Sequence, residues 1–159
     1  MLPLIPAPLP RLGLRCAYRL RNLSRRIARP RIAGVSLLIS DPEDRLMLVR
    51  HSYGSRHWAL PGGGLARGEE PHLAARRELG EELGCEAQDV TQIALFEDAI
   101  SGARHTAHVF AVTLAGEPRP DRREVLELCF FAESELPANL SSLTRSRLAL
   151  WRAWRLEQR

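Results

Sequence analysis

The sequence predicts a single α/β domain preceded by a basic arm. Three observations carry this reading. Short β-branched runs alternate with stretches of helical periodicity from residue 31 onward. A glycine turn, Gly62-Gly63-Gly64, leads into a helix whose last turns carry three glutamates. Residues 1 to 31 hold eight arginines and no acid, the first acid being Asp41. A chain of 159 residues that is 45% hydrophobic and 26% charged is ordinary for one globular domain. At that length folding buries roughly two-thirds of the surface the unfolded chain exposes.

Taken in order, the arm comes first. Pro3, Pro6, Pro8 and Pro10 forbid a helix and spoil a secretory apolar core. Leu12, Cys16, Leu20, Leu23 and Ile27 then recur at helical spacing, with Arg11, Arg15, Arg19 and Arg26 on another stripe. Residues 1–30 are therefore set apart from a domain at 31–159. Three roles suit the arm. It is an extra helix laid on the domain or on a partner subunit of a homodimer. It adheres to an anionic membrane surface or to nucleic acid through residues 11–31. Or it is a transit peptide. All 23 basic residues are arginine, and residues beyond the arm hold 15 arginines against 19 acids, so the pI near 9.6 belongs to the arm.

Ile32–Ile39 is an apolar, β-branched run that reads as a buried strand, and Leu46–His51 reads as a second. Asp41-Pro42-Glu43-Asp44 between them is a turn. A helix follows the glycine turn, with Pro71 near N1 and Gly84 just past its end. Gly80 inside it should cost about 1 kcal/mol against alanine, and tight packing is the only sequence-level reason for it. Val90–Ile100 and His105–Leu114 form a hairpin around Ser101-Gly102, and Val125–Ala132 is a further strand. Ser141 or Ser142 caps a last helix whose Leu148, Trp151 and Leu156 are read as core. Cys16, Cys85 and Cys129 are scattered, which argues against a disulfide framework and a zinc site and suits the cytoplasm. No apolar run approaches the ~20 residues that span a bilayer.

Glu78, Glu81 and Glu82 stand at i, i+3 and i+4, on one helical face. Like charges side by side repel, so the helix gains nothing structurally by collecting them. Hard divalent cations, Mg²⁺ or Mn²⁺, prefer such oxygens and keep positions open for substrate phosphates. Around them the sequence reads Gly63, Glu69, Arg77, Glu78, Leu79, Glu81, Glu82, Gly84 in the register G-x5-E-x7-R-E-U-x-E-E-x-G-U, where U is bulky and aliphatic. Only the final position departs, with Cys85 standing in.

That segment, residues 63–85, closely resembles the signature of the Nudix hydrolases. The resemblance implies a mixed-sheet α/β/α sandwich. It implies a metal-dependent hydrolase that cuts the pyrophosphate bond of a nucleoside diphosphate linked to another moiety, by water attack at phosphorus. Glu78, Glu81 and Glu82 match the family's Mg²⁺ or Mn²⁺ ligands, and the carbonyl of Gly62 matches a further one. Glu69 and Arg77 match architectural positions, Arg77 being also a candidate clamp on substrate, and Gly63 and Gly84 are structural in the motif. Glu124, six residues before Phe130, falls where several relatives keep an additional metal-binding glutamate; Glu127 is the runner-up. The general base stays open among Glu81, Glu82 and Glu124. Ala66 replaces a glutamate common in relatives. Arg50, Tyr53, Arg56 and His105 are candidate contacts for a small nucleotide-type substrate. Residues 96–103 lack the proline and tyrosine associated with ADP-ribose and diadenosine polyphosphate specificity. Two alternatives stand beside this: a non-catalytic Nudix-fold nucleotide sensor, and a membrane- or RNA-associated member ruled by its arm.

Overall fold

The computed structural model describes residues 32–100 and 102–158, together with Gly13, Ala17 and Leu20. Those three are helical and exposed, and the rest of the arm lies outside the described residues. Strand β1 (Ile32–Ile39) pairs in parallel with β4 (Ala103–Leu114), from Ile32 opposite His105 to Ile39 opposite Val112. Strand β3 (Ala87–Ile100) runs antiparallel to β4, giving a mixed sheet in the order β1-β4-β3. Strands β2 (Leu46–His51) and β5 (Val125–Phe131) form a separate antiparallel pair, with a register shift between Arg50 and His51.

Period-two burial builds two cores. Val35, Leu37 and Ile39 of β1 and Met47 and Val49 of β2 pack with Leu79 and Leu83 of helix α1 (Pro71–Leu83). The alternate residues Leu38, Leu46 and Leu48 pack with Leu148 and Trp151 of helix α2 (Ser142–Glu157). Successive strand side chains face opposite ways, so one set of strands feeds a helix on each face. The result is the expected α/β/α sandwich.

The helix ends are where the residue chemistry places them. Pro71 opens α1, and Gly84 closes it at φ 56° with its N–H on the Gly80 carbonyl at 3.1 Å. Ser141 caps α2, its Oγ accepting from the Thr144 N–H at 3.1 Å. Strands β3 and β4 start earlier than their apolar runs, at Ala87 and Ala103, because their ladder runs from Ala87 opposite Leu114 to Ile100 opposite Ala103, and β5 stops at Phe131. Two expectations are corrected. Leu156 is 71% exposed, because its position lies round the helix from Leu148 and Trp151, which are buried. Gly80 meets nothing within 4 Å of a built Cβ, so packing does not account for it.

The glycine turn is stitched onto the free edge of β1. Val35 N–H donates to the Gly63 carbonyl at 2.8 Å, Leu37 N–H to the Pro61 carbonyl at 2.9 Å, and Leu65 N–H to the Ala33 carbonyl at 2.9 Å. Gly62 adopts φ 137°, and a Cβ there would sit 2.2 Å from the Val35 carbonyl oxygen. Only glycine satisfies both the conformation and the close approach.

Candidate active site

Helix α1 delivers its carboxylates unequally. Glu78 is 8% exposed and Glu82 1%, whereas the Glu81 side chain is 59% exposed. Glu82 bridges two elements: Oε2 accepts from the Gly62 N–H at 2.9 Å, and Oε1 lies 2.7 Å from His51 Nε2 at the end of β2. Glu78 lies under the turn, where a Cβ on Gly63 would stand 2.2 Å from its Oε1. The second glycine of the turn therefore makes room for a carboxylate.

Arg77 organises the outer side of this cluster. Nε and Nη2 donate to the two oxygens of Glu69 at 2.8 and 3.0 Å, Nη2 also to the Gly64 carbonyl at 3.0 Å, and Nη1 to Glu78 at 2.8 Å and Glu81 at 3.0 Å. The forked guanidinium reaches all of these at once, which a lysine could not. The Arg77 hydrogen bond, helped by the Ala66 N–H, holds the Glu69 carboxyl down at about 2, and Arg77 is raised in turn.

Burial pushes the Glu78 carboxyl up to about 7; the charges of Glu82 and Glu81 add to this, against the pull of Arg77. Glu124 is raised by burial and then by Glu82 and Asp121. Burial lowers the His51 imidazole, yet the Glu82 hydrogen bond and the charges of Glu82, Glu124 and Glu78 together leave it raised. Every one of these shifts reports negative charge crowded in a partly dry site.

Glu124 is placed by a loop that closes on the end of α1. Arg119 N–H donates to the Leu83 carbonyl at 2.7 Å and Asp121 N–H to the Glu82 carbonyl at 3.1 Å. The Asp121 carboxylate then accepts from the N–H groups of Arg123 (3.1 Å), Glu124 (3.0 Å) and Val125 (2.8 Å), an Asx-type turn. The Glu124 carbonyl receives the Ser52 N–H at 2.7 Å. Glu127 points elsewhere, paired with Arg50.

A cavity of about 700 Å³ joins these parts, lined among others by His51, Tyr53, Gly62, Glu78, Glu81 and Glu124. His105 of β4 and Ser141, Thr144 and Arg147 around the start of α2 also line it. Of the candidate substrate contacts, Tyr53 and His105 therefore line the cavity. Arg50, spent on Glu127 and lying 5.2 Å from the Trp58 ring, does not, nor does the exposed Arg56.

Among the described residues no group of three or more His, Cys, Asp or Glu side chains is arranged ready to hold a metal ion. The donor set nevertheless suits a hard cation. Two buried carboxylates face a third at Glu124, and Arg77 and His51 supply the positive charge that offsets them. Sequence reasoning missed the roles of His51, Asp121, Asp98 and Arg147. Only Asp121, an Asx-turn former ahead of a strand, left a signal; the others meet their partners through tertiary contacts.

The chain matches the model of the NUDIX domain over residues 30–151. It is 35% identical over 75 residues to diphosphoinositol polyphosphate phosphohydrolase 2 of Rattus norvegicus, covering 47% of this chain and 41% of that protein. It is 46% identical over 57 residues to the ADP-ribose pyrophosphatase of Mycobacterium tuberculosis, covering 33% of this chain and 28% of that one. Both matches thus span less than half of the relative. The crystal structure of a MutT NUDIX hydrolase from Burkholderia pseudomallei superposes with a TM-score of 0.68 at 27% identity, over 75% of this chain and 96% of the other. The fold, the glycine turn and the glutamate helix thus agree with the family match, and this chain belongs to the NUDIX family.

Proposed function

We propose that this protein is a divalent-metal-dependent pyrophosphohydrolase acting on a nucleoside diphosphate linked to another moiety. The observation that carries the reading is the buried pair Glu78 and Glu82, with Glu78, Glu81 and Glu124 lining a cavity large enough for a nucleotide. Burying like charges is costly; Arg77 and His51 offset part of that cost, and a bound cation would offset more.

Glu78, Glu81, Glu82 and Glu124, with the Gly62 carbonyl, would hold Mg²⁺ or Mn²⁺. When bound, the metal would neutralise the phosphate oxygens and lower the pKa of a water. The chain's own residues do the rest. Arg77 releases or shares Glu78 and Glu81 while keeping Glu69 and the turn fixed. The Gly62 N–H and His51 orient Glu82, so that its oxygens need no reorganisation. Glu81, Glu82 and Glu124 are the candidates to accept the proton of the attacking water, each only where it is not spent on the metal.

Residues 1–30 are inferred to be a separate arm, and residues 31–159 the hydrolase. A cytoplasmic setting follows from the cysteine usage, and among the described residues no helix is long and apolar enough to cross a membrane. The test is a panel of nucleotide sugars, dinucleotides and (d)NTPs with Mg²⁺ or Mn²⁺, reading released phosphate through a coupled phosphatase. Turnover of at least one, abolished by EDTA, is expected. No metal-dependent turnover across the panel would contradict the proposal.

A further inference from the structure

The cavity is also lined by part of a second charged group that the hydrolytic reading leaves unused. Asp98 of β3 lies directly across the hairpin from His105 of β4. Its Oδ1 accepts from His105 Nδ1 at 2.6 Å, and its Oδ2 accepts from Arg147 Nη2 at 2.9 Å. Arg147 is 1% exposed, donates through Nη1 to the Leu143 carbonyl and Ser146 Oγ, lies 4.9 Å from the Phe96 ring, and leaves Nε without a partner. A buried guanidinium of this kind is costly unless it serves a fixed arrangement. What it fixes, through Asp98, is the His105 ring.

Three facts define what that ring offers. His105 is 6% exposed, and it lines the cavity shared with Glu78 and Glu124. Its Nε2 faces Gly34, where a built Cβ would stand 2.8 Å from Nε2 and 2.9 Å from the Gly63 carbonyl oxygen. With Nδ1–H given to Asp98, the neutral ring carries its lone pair on Nε2. The charges of Asp98 and Arg147 cancel, so this part of the lining presents an acceptor and not the excess positive charge a phosphate would need.

We propose that His105 is a specificity residue whose Nε2 accepts a hydrogen bond from the uncharged, nucleoside part of the substrate, a ribose hydroxyl or a base N–H. This deepens the hydrolase reading and rests on it, because that reading puts the pyrophosphate at the glutamates and leaves the His105 and Arg147 part of the lining, its charge cancelled by Asp98, to the rest of the substrate. It also revises the role His105 has as a basic contact: it reads a donor and does not attract phosphate. A donor matched to a buried acceptor discriminates strongly, since the analogue lacking it leaves the acceptor unpaired.

The experiment measures dissociation constants by isothermal titration at pH 8 for the four ribonucleoside triphosphates and their 2′-deoxy forms. Ca²⁺ replaces Mg²⁺ to retard turnover, and the proteins are full-length wild type, His105→Leu and His105→Gln. Wild type is expected to prefer ribo- over deoxynucleotides, or one base over the others, by about tenfold or more. The first pattern identifies the hydroxyl, the second the base. In His105→Leu the preference should shrink to about twofold, and in His105→Gln, which keeps an acceptor near Nε2, it should persist. A wild type without preference, a wild type that binds none of the eight, or a His105→Leu variant that melts like wild type and keeps the full preference would each overturn the proposal. Turnover with Mg²⁺ is read separately on the same proteins, so failure of hydrolysis is distinguishable from failure of recognition.

Discussion

Arg77 and Glu69, eight residues apart, meet in a two-point ion pair: Nε to Oε1 at 2.8 Å and Nη2 to Oε2 at 3.0 Å. The same guanidinium also reaches Gly64, Glu78 and Glu81. It ties the loop before α1 to the glutamates on α1 and to the turn above them. Arg77→Lys keeps the charge and loses the fork. Activity is expected to fall about tenfold to a hundredfold, the usual cost of a lost supporting contact at a metal site, with the melting temperature little changed. Steady-state kinetics beside a thermal melt checks this, and wild-type turnover would assign Arg77 no organising role.

Gly63 and Gly80 should behave oppositely on substitution by alanine. A Cβ on Gly63 would occupy the place of the Glu78 carboxylate, so Gly63→Ala is expected to cost about 1–3 kcal/mol and to displace Glu78, lowering activity as well. Gly80 has open space around it inside α1, so Gly80→Ala should stabilise by about 0.5–1 kcal/mol through helix propensity, with turnover unchanged. Urea denaturation of both variants measures the pair of signs.

Without metal, stability should decline as pH rises from about 4.5 toward 7. The Glu78 carboxyl is raised from 4.5 to about 7 by burial and by its glutamate neighbours. A raised carboxyl binds its proton more tightly in the folded chain, so its contribution is complete below the unfolded value and lost as pH passes the folded one. His51, also raised, acts in the same direction near neutrality. Melting curves in EDTA from pH 5 to 8 should slope downward, and Glu78→Gln should remove about half of the slope or more. Mg²⁺ should restore stability at pH 8 by binding the ionised form. A flat profile, or an unchanged slope in Glu78→Gln, would contradict this.

Glu124 and Glu127 separate cleanly by position. Glu124 lines the cavity, whereas Glu127 is half-exposed and held by Arg50. Glu124→Gln is expected to lower kcat by about a hundredfold if it takes the proton, and Glu127→Gln to leave kcat within about twofold of wild type, as an exposed ion pair contributes little. Asp121→Ala, which removes the acceptor for three backbone N–H groups, should lower kcat by about tenfold by loosening Glu124 while leaving the fold intact. Equal effects of the two glutamate variants would reverse the assignment.

The sequence exposed most of the frame for local reasons. Ile32–Ile39 and Leu46–His51 became β1 and β2 at their expected bounds because apolar, β-branched runs between turn residues have few other uses. Ser141, Pro71 and Gly84 announced helix ends through capping chemistry. The glutamates were legible from spacing, but not their unequal burial. Glu81 turns out to Arg77 while Glu82 turns in to His51, and that depends on β2, 31 residues away. Asp98 and Arg147, separated by 49 residues, were invisible for the same reason: no local pattern records a partner across the fold. Leu156 was misread because a helical face was drawn from three residues whose angular spread exceeds one stripe.

The most direct test of the central claim is a Mn²⁺ titration of wild type and Glu82→Gln, following free Mn²⁺ by its electron paramagnetic resonance signal. Glu82→Gln keeps the shape of a side chain that is 1% exposed and removes its charge. Wild type should take up the ion, and Glu82→Gln should bind it at least about tenfold more weakly. Equal uptake by the two proteins would contradict the account that these carboxylates hold the metal.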